Sequence, residues 1–119
     1  MRPEDRVRLQ HMLEAAEDAV RFASGLTRAD LDTNRMATFA IVRAIEVIGE
    51  AATTVTDETK QGYANLPWRS MIGMRHRLVH AYYDVDLDRV WDTVTVDLPP
   101  LIAQLRSVLG SGREQPGAA

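Results

Sequence analysis

Apolar residues recur at every third or fourth position along most of this 119-residue chain, and this spacing limits the possible folds more than any other feature. Such a period places apolar side chains on one face of an α-helix, whereas a half-buried strand requires strict alternation. Glycine and proline, which interrupt helices, are sparse before residue 110. The sequence therefore predicts an all-α protein. The clearest periodic stretches are residues 9–23, 34–56 and 87–108.

Residues that favour helix ends divide the chain into four predicted helices. Proline favours the first helical turn, aspartate and asparagine cap helix starts, and glycine often follows the last turn. The first helix is expected to start near Pro3 and to end at Gly25, and the second to run from about Asn34 to about Thr56. The third is expected to start at Pro67, and the fourth at either Asp84 or Asp86. Short connections between such helices favour an antiparallel four-helix bundle. Pro99 and Pro100 fall inside the fourth helix and should kink it near Leu98.

The length suits a single helical domain, which we place at residues 1–109. Residues 110–119 contribute no core residues and are expected to form a disordered tail. The chain has no cysteine, so disulfides and thiolate chemistry are excluded. Its start carries charge where a signal peptide needs an apolar run, and no stretch approaches the roughly 20 apolar residues of a membrane span. We expect a cytoplasmic protein without membrane contact.

The stretch GMRHRLVHAYYDVD, residues 73–86, gathers titratable side chains that are poor core residues. A helix turns about 100° per residue, so Arg75 and His80 would point roughly 140° away from each other on one regular helix. They can still converge if the helix ends near His80 and its last turn opens. Alternatively, a second copy of the helix packs against the first, and a two-fold interface then supplies the same groups twice.

These residue types suit the cleavage of RNA without a metal ion. RNA carries its own nucleophile, the 2′-hydroxyl, so cleavage needs a base, an acid for the 5′-oxygen, and positive charge near the developing phosphorane. Histidine can serve as base or acid near neutral pH, which makes His76 and His80 candidates without deciding which is which. Arg75 can hold phosphate oxygens with two directed hydrogen bonds. Tyr82 can donate to a phosphate or stack on a base.

Basic residues are concentrated around this stretch although the net charge of the chain is −3. That net charge argues against a surface coated for non-specific nucleic-acid binding. Residues 69–77, RSMIGMRHR, nevertheless contain three arginines and a histidine without an acid. The planar fork of arginine suits phosphate recognition, so we expect Arg69, His76 and Arg77 to assist RNA binding.

The sequence PWRSMIGMRHRLVHAYYDVDLDRVW resembles the signature of HepT-like proteins, which are toxin members of the HEPN superfamily of helical ribonucleases. Their motif is arginine, four residues, histidine, any residue and tyrosine, and it falls here on Arg75, His80 and Tyr82. The likeness extends to AIEVIGEAA at residues 44–52 and VDLPPLI at residues 96–102. Three blocks in the same order make the resemblance specific, whereas an isolated arginine–histidine spacing would not.

The resemblance implies a homodimer with the third helix and its motif at the interface, and RNA cleavage without a metal or other cofactor. It also implies an antitoxin, a minimal nucleotidyltransferase that can attach AMP to Tyr82. We therefore predict the toxin of a type II toxin–antitoxin pair, an endoribonuclease with Arg75 and His80 as catalytic residues. One departure is His76, since that position is commonly asparagine; whether His76 adds a titrating group or replaces an amide is left open.

The residues around the motif also permit structural roles. Arg75 could pair with Glu46 or Glu50, which lie one turn apart on the second predicted helix. These glutamates could orient Arg75 toward the cleft, or they could form a solvated face with Arg43, which is the favoured interpretation.

Two further alternatives concern the histidines and the activity itself. His76 and His80 have the spacing of two metal ligands on one helix, but no third ligand has a compatible spacing, so no metal site is expected. The main alternative function is a non-catalytic helical module that binds a nucleotide or a protein.

Overall fold

Helices make up most of the chain in the computed structural model, as the apolar period predicts. The structure describes the backbone of residues 1–81 and 84–117 and the side chains of residues 1–79 and 84–110. The elements in chain order are α1 Pro3–Ala23, α2 Asp30–Thr33, α3 Arg35–Thr54, α4 Asp57–Gly62, α5 Trp68–Leu78, β1 Val79–Ala81, β2 Asp84–Val85, α6 Leu87–Asp92, a π-helical segment Thr93–Asp97, and α7 Leu98–Gly117.

Three of the four predicted start signals operate where they were expected, while Pro67 lies one residue before α5, at its N-cap position. Pro3 is the first residue of α1. Asn34 caps α3, since its side-chain oxygen accepts a hydrogen bond of 3.0 Å from the backbone N–H of Ala37. Of the two aspartates proposed to cap the fourth helix, Asp86 does so, and its carboxylate accepts from the N–H of Arg89 at 3.1 Å.

The connections contain two short helices that the apolar period did not predict. Gly25 has a φ of +80°, so α1 ends just before it, as expected. The following segment then forms α2, which buries Leu31 against the core. After α3, the hydroxyl of Thr56 accepts from the N–H of Thr59 at 3.4 Å and starts α4. Helices of four and six residues are too short to show a periodic stripe in the sequence.

A kink was expected near Leu98, and the structure has a π-helical segment there, immediately before the two prolines. The N–H of Leu98 bonds to the carbonyl of Thr93, five residues earlier, instead of four as in an α-helix. Pro99 and Pro100 have no N–H to continue the regular pattern, so the register changes at this point. The backbone then continues as helix through Gly117. The division between domain and tail at residue 109 stays a prediction.

The core lies where α1 packs against α3 and α7, and where α3 packs against α5. Among the described residues, no helix is both long enough and apolar enough to cross a membrane. The largest fully buried apolar side chains come from these helices, from α6 and from the π-helical segment: Leu9, Met12, Ile41, Ile45, Ile48, Met71, Leu78, Val90, Val94, Leu98 and Leu105.

One buried carboxylate ties α1 to the start of α4. Asp5 accepts hydrogen bonds from both threonine hydroxyls, Thr56 and Thr59, at 2.6 Å each, and from the backbone N–H of Thr56 at 3.1 Å. Burial raises the pKa of the Asp5 carboxyl, but these hydrogen bonds to its ionised form outweigh burial. The pKa of Asp5 therefore lies below its ordinary value of 3.8.

Candidate functional site

The last turn of α5 presents three consecutive basic side chains to solvent. Met71, Met74 and Leu78 bury one face of α5, at the three- and four-residue spacing of a helix stripe. Arg75, His76 and Arg77 lie between these positions, so their side chains leave the core and are exposed. Burying a charged group costs free energy unless it is paired, which is consistent with this division of α5.

Gly49 allows α5 to approach α3 closely. A Cβ atom at this position would lie 3.2 Å from the carbonyl oxygen of Met71 and 3.4 Å from that of Ile72. Real side chains rarely make such short contacts with a backbone, so a larger residue would push the two helices apart. The contact fixes the relative position of Glu46, one turn before Gly49, and Arg75, one turn after Met71.

Arg75 and Glu46 form an ion pair across the two helices. The Nε of Arg75 donates to Oε2 of Glu46 at 3.0 Å, and the two side chains are 52% and 23% exposed. Glu50 instead pairs with Arg43, at 3.1 Å. The favoured expectation of a solvated face is therefore right for Glu50 and wrong for Glu46, which contacts Arg75. The bond uses one donor of the arginine fork, and the two terminal amino groups carry the others.

The helix ends at Leu78, before it reaches His80. Val79 has extended backbone angles, φ −126° and ψ 113°, and begins β1. This strand pairs antiparallel with β2, and Val79 lies opposite Val85. The N–H of Asp86 closes the unit by bonding to the carbonyl of Leu78 at 2.7 Å.

An end of the helix near His80 was one of the two arrangements in which Arg75 and His80 were expected to converge, and α5 ends two residues before His80. His80 belongs to β1 by its backbone, so it does not continue the helical rotation that separates it from Arg75. Its side chain lies outside the described residues, and so do both Tyr82 and Tyr83. The catalytic role of His80 and the acceptor role of Tyr82 stay predictions.

Arg69 and Arg77 lie on α5 away from Glu46. Arg69 is exposed. A terminal amino group of Arg77 donates to the backbone oxygen of Ser70 at 2.8 Å and to its hydroxyl at 3.0 Å. Arg77 is two residues beyond Arg75, which places it on the opposite side of the helix. Sequence reasoning missed Ser70, because a single serine is common on a helix surface and carries no signal of its own.

Among the described residues, no three histidine, aspartate or glutamate side chains lie close enough together to hold a metal ion. The described residues bring together a positively charged helix end, one carboxylate that holds an arginine, and the backbone of the strand that contains the motif histidine. Such a surface can bind an anion such as phosphate.

Comparison with known proteins places this chain in a family. The family model described as Ribonuclease HepT-like matches residues 12–108. A Thermococcus cleftensis protein, named as a candidate ribonuclease HepT, is 37% identical over 93 residues, which cover 78% of this chain and 84% of that protein. A Methanocaldococcus jannaschii protein, named as a candidate RNase, is 31% identical over 100 residues, covering 84% and 92%. A further candidate RNase, from Caldanaerobacter subterraneus, is 31% identical over 101 residues, covering 85% and 90%. No solved structure gave a significant match.

Proposed function

Because this chain belongs to the ribonuclease HepT-like family, we propose that it is an endoribonuclease and the toxin of a type II toxin–antitoxin pair in the cytoplasm. The names of its relatives support ribonuclease activity. The observation that carries the proposal is the exposed Arg75, held by Glu46 at the end of α5, next to the strand that contains His80.

The proposed reaction uses the 2′-hydroxyl of the RNA as nucleophile and needs no metal ion. One histidine takes the proton of the 2′-hydroxyl, the 2′-oxygen bonds to phosphorus, and a second histidine gives a proton to the leaving 5′-oxygen. His80 fills one of these roles, and His76 is the candidate for the other. Arg75 donates to the phosphate oxygens as negative charge develops. The products are a 2′,3′-cyclic phosphate and a free 5′-hydroxyl.

Glu46 is proposed as a positioning residue for Arg75. A guanidinium on a flexible side chain loses conformational freedom when it binds phosphate, and a prior hydrogen bond to Glu46 reduces that loss. The carboxylate bonds to Nε and so leaves the terminal amino groups for the substrate.

We also propose that the four longer helical segments form the expected four-helix bundle: α1, α3, α5, and α6 together with α7. Two copies of the chain are proposed to meet along α5. Exposed apolar side chains on α3 and α5 support this interface. Ile72 on α5 is 37% exposed, and Phe39 and Met36 on α3 are 58% and 83% exposed. Phe39 lies seven residues, about two helical turns, before Glu46 and so shares its side of α3. An isologous contact over this surface would bring two copies of the motif into one cleft.

The proposed partner is a nucleotidyltransferase antitoxin that silences the toxin by modifying Tyr82. In that reaction the phenolic oxygen of Tyr82 attacks the α-phosphate of ATP, a phosphorus–oxygen bond forms, and pyrophosphate leaves. The support for Tyr82 is its place in the family motif, two residues after His80.

Expression in cells tests the toxin and its silencing together. Without the partner, the wild-type chain should arrest growth and His80→Ala should not, because a general acid or base typically contributes about 10²–10⁴-fold to the rate. With the partner present, Tyr82→Phe should remain toxic, because it lacks the acceptor oxygen, whereas the matched variant Tyr83→Phe should be silenced. Full toxicity of a folded His80→Ala variant would show that the site assignment is wrong.

A further inference from the structure

A basic groove lies beside the start of α5, on the side of the helix away from Glu46. Its volume is about 730 Å³, and it is lined chiefly by Leu66, Trp68, Arg69, Ser70, Gly73 and Arg77. None of the described residues that line it is acidic. In a chain whose net charge is −3, a concave surface with two arginines and no acid is suited to an anionic ligand.

Arg77 is held in a fixed orientation in this groove. Its two hydrogen bonds to Ser70, to the backbone oxygen at 2.8 Å and to the hydroxyl at 3.0 Å, involve the same terminal amino group. The remaining donors of the guanidinium can therefore meet a phosphate without first ordering the side chain. Arg69 lies eight residues earlier on the same helix, roughly 12 Å away along its axis. Two anionic groups of one extended ligand can be held at that separation.

Trp68 supplies an aromatic surface at the start of the groove. Its indole N–H donates to the backbone oxygen of Tyr63 at 3.0 Å, which fixes the ring while the side chain is only partly buried. Gly73 leaves space beside it, since a Cβ atom there would meet nothing within 4 Å. A fixed aromatic ring next to arginines is the combination that binds unpaired bases and their backbone in single-stranded nucleic acid.

We propose that this groove binds the single-stranded RNA that flanks the cleaved bond, with phosphates on Arg69 and Arg77 and an unpaired base on Trp68. The inference rests on the proposed function, because it assumes an RNA substrate. His76 lies between Arg75 and Arg77 in the sequence and on the outer surface of α5, so a strand leaving the groove would cross His76 to reach Arg75. Paired RNA would not expose a base to Trp68, so the substrate at this position is single-stranded.

Binding of a non-cleavable oligonucleotide tests the groove separately from catalysis. A single-stranded decanucleotide with 2′-O-methyl riboses, checked to be intact afterwards, is titrated against the wild-type chain, Arg69→Gln, Arg77→Gln and the double variant. Each substitution should weaken binding about tenfold or more. The double variant should also reduce the slope of log Kd against log salt by about 1.4, because each phosphate that an arginine neutralises contributes about 0.7 to that slope. Arg21→Gln on α1 removes the same charge outside the groove and is the matched control.

A second readout reports on Trp68 directly. The chain has two tryptophans, so Trp91→Phe leaves Trp68 as the only one. The oligonucleotide should quench its fluorescence, and a duplex of the same sequence should quench it less. Arg77→Lys, which keeps the charge but not the fork, should recover part of the affinity that Arg77→Gln removes.

The outcomes separate the groove from the proposed activity. If the folded double variant keeps the wild-type Kd and salt slope and Trp68 is not quenched, the inference is wrong, and an acidic protein surface becomes the expected occupant. If the groove variants lose binding but the wild-type chain cleaves no RNA, the groove stands and the proposed function fails. If wild-type cleavage occurs and the groove variants cleave a long RNA equally well, only the groove is refuted.

Discussion

Arg75 and Glu46 are 29 residues apart in the sequence, yet the two side chains meet at 3.0 Å. The sequence indicated both residues separately, Arg75 by its place in the motif and Glu46 as one of two candidate partners. It could not select Glu46 over Glu50, because the spacing within one helix does not reveal where another helix crosses it. The contact at Gly49 determines that crossing and with it the choice.

The proposed positioning role of Glu46 predicts coupling between Glu46 and Arg75. Glu46→Ala should reduce kcat by about 3- to 30-fold, because the guanidinium is no longer held toward the phosphate. In an Arg75→Ala background the same substitution should have little further effect. The double-mutant cycle is measured by single-turnover cleavage of one RNA. Glu50→Ala, which breaks only the pair with Arg43, is the matched control and should leave kcat unchanged. Equal losses from Glu46→Ala in both backgrounds would contradict the proposed role.

At the scale of the elements, the long helices were predictable because each carries a continuous apolar stripe and a recognisable start. The end of α5 was only partly predictable. The sequence allowed the helix to open near His80, but the ending depends on pairing between β1 and β2, which are made of only three and two residues. For the π-helical segment, the sequence likewise predicted only a kink near Leu98, from Pro99 and Pro100. Short elements depend on tertiary contacts more than on local patterns.

The buried carboxylate that joins α1 to α4 predicts a specific acid sensitivity. Because the pKa of Asp5 is lower in the folded protein than its ordinary value of 3.8, the stabilisation is present above that value and is lost as pH falls below it. Between about pH 5 and about pH 3, the free energy of unfolding of the wild-type chain should therefore fall more than that of Asp5→Asn. At neutral pH, Asp5→Asn should destabilise the fold by about 1.5–3 kcal/mol, the typical contribution of a hydrogen bond to a charged group.

Urea unfolding followed by circular dichroism at each pH measures this difference. Asp18→Asn is a suitable control, because Asp18 lies on the exposed surface of α1 and pairs with Arg21. Parallel pH profiles for the wild-type chain and Asp5→Asn would refute the assignment of this acid sensitivity to Asp5.

At the scale of the whole molecule, the proposed cleft requires two copies of the chain. The protein should sediment near twice its mass of 13.3 kDa at micromolar concentration. Ile72→Glu places a charge on the proposed interface, so it should shift the protein to the monomer and reduce RNA cleavage in parallel. Val7 is an exposed apolar residue on α1, and Val7→Glu should change neither the oligomeric state nor RNA cleavage. A wild-type monomer with full activity would contradict a cleft shared between two copies.

We propose that this protein cleaves RNA through the 2′-hydroxyl of its substrate, with Arg75 and His80 supplying the chemistry. The most direct test is to incubate the purified chain with a defined single-stranded RNA in excess EDTA and to identify the ends of the products by mass spectrometry. The proposed mechanism predicts cleavage by the wild-type chain, 2′,3′-cyclic phosphate ends, no cleavage where the ribose is replaced by 2′-deoxyribose, and a large loss in His80→Ala. Loss of activity in EDTA that a divalent ion restores, or products with 3′-hydroxyl ends, would contradict it.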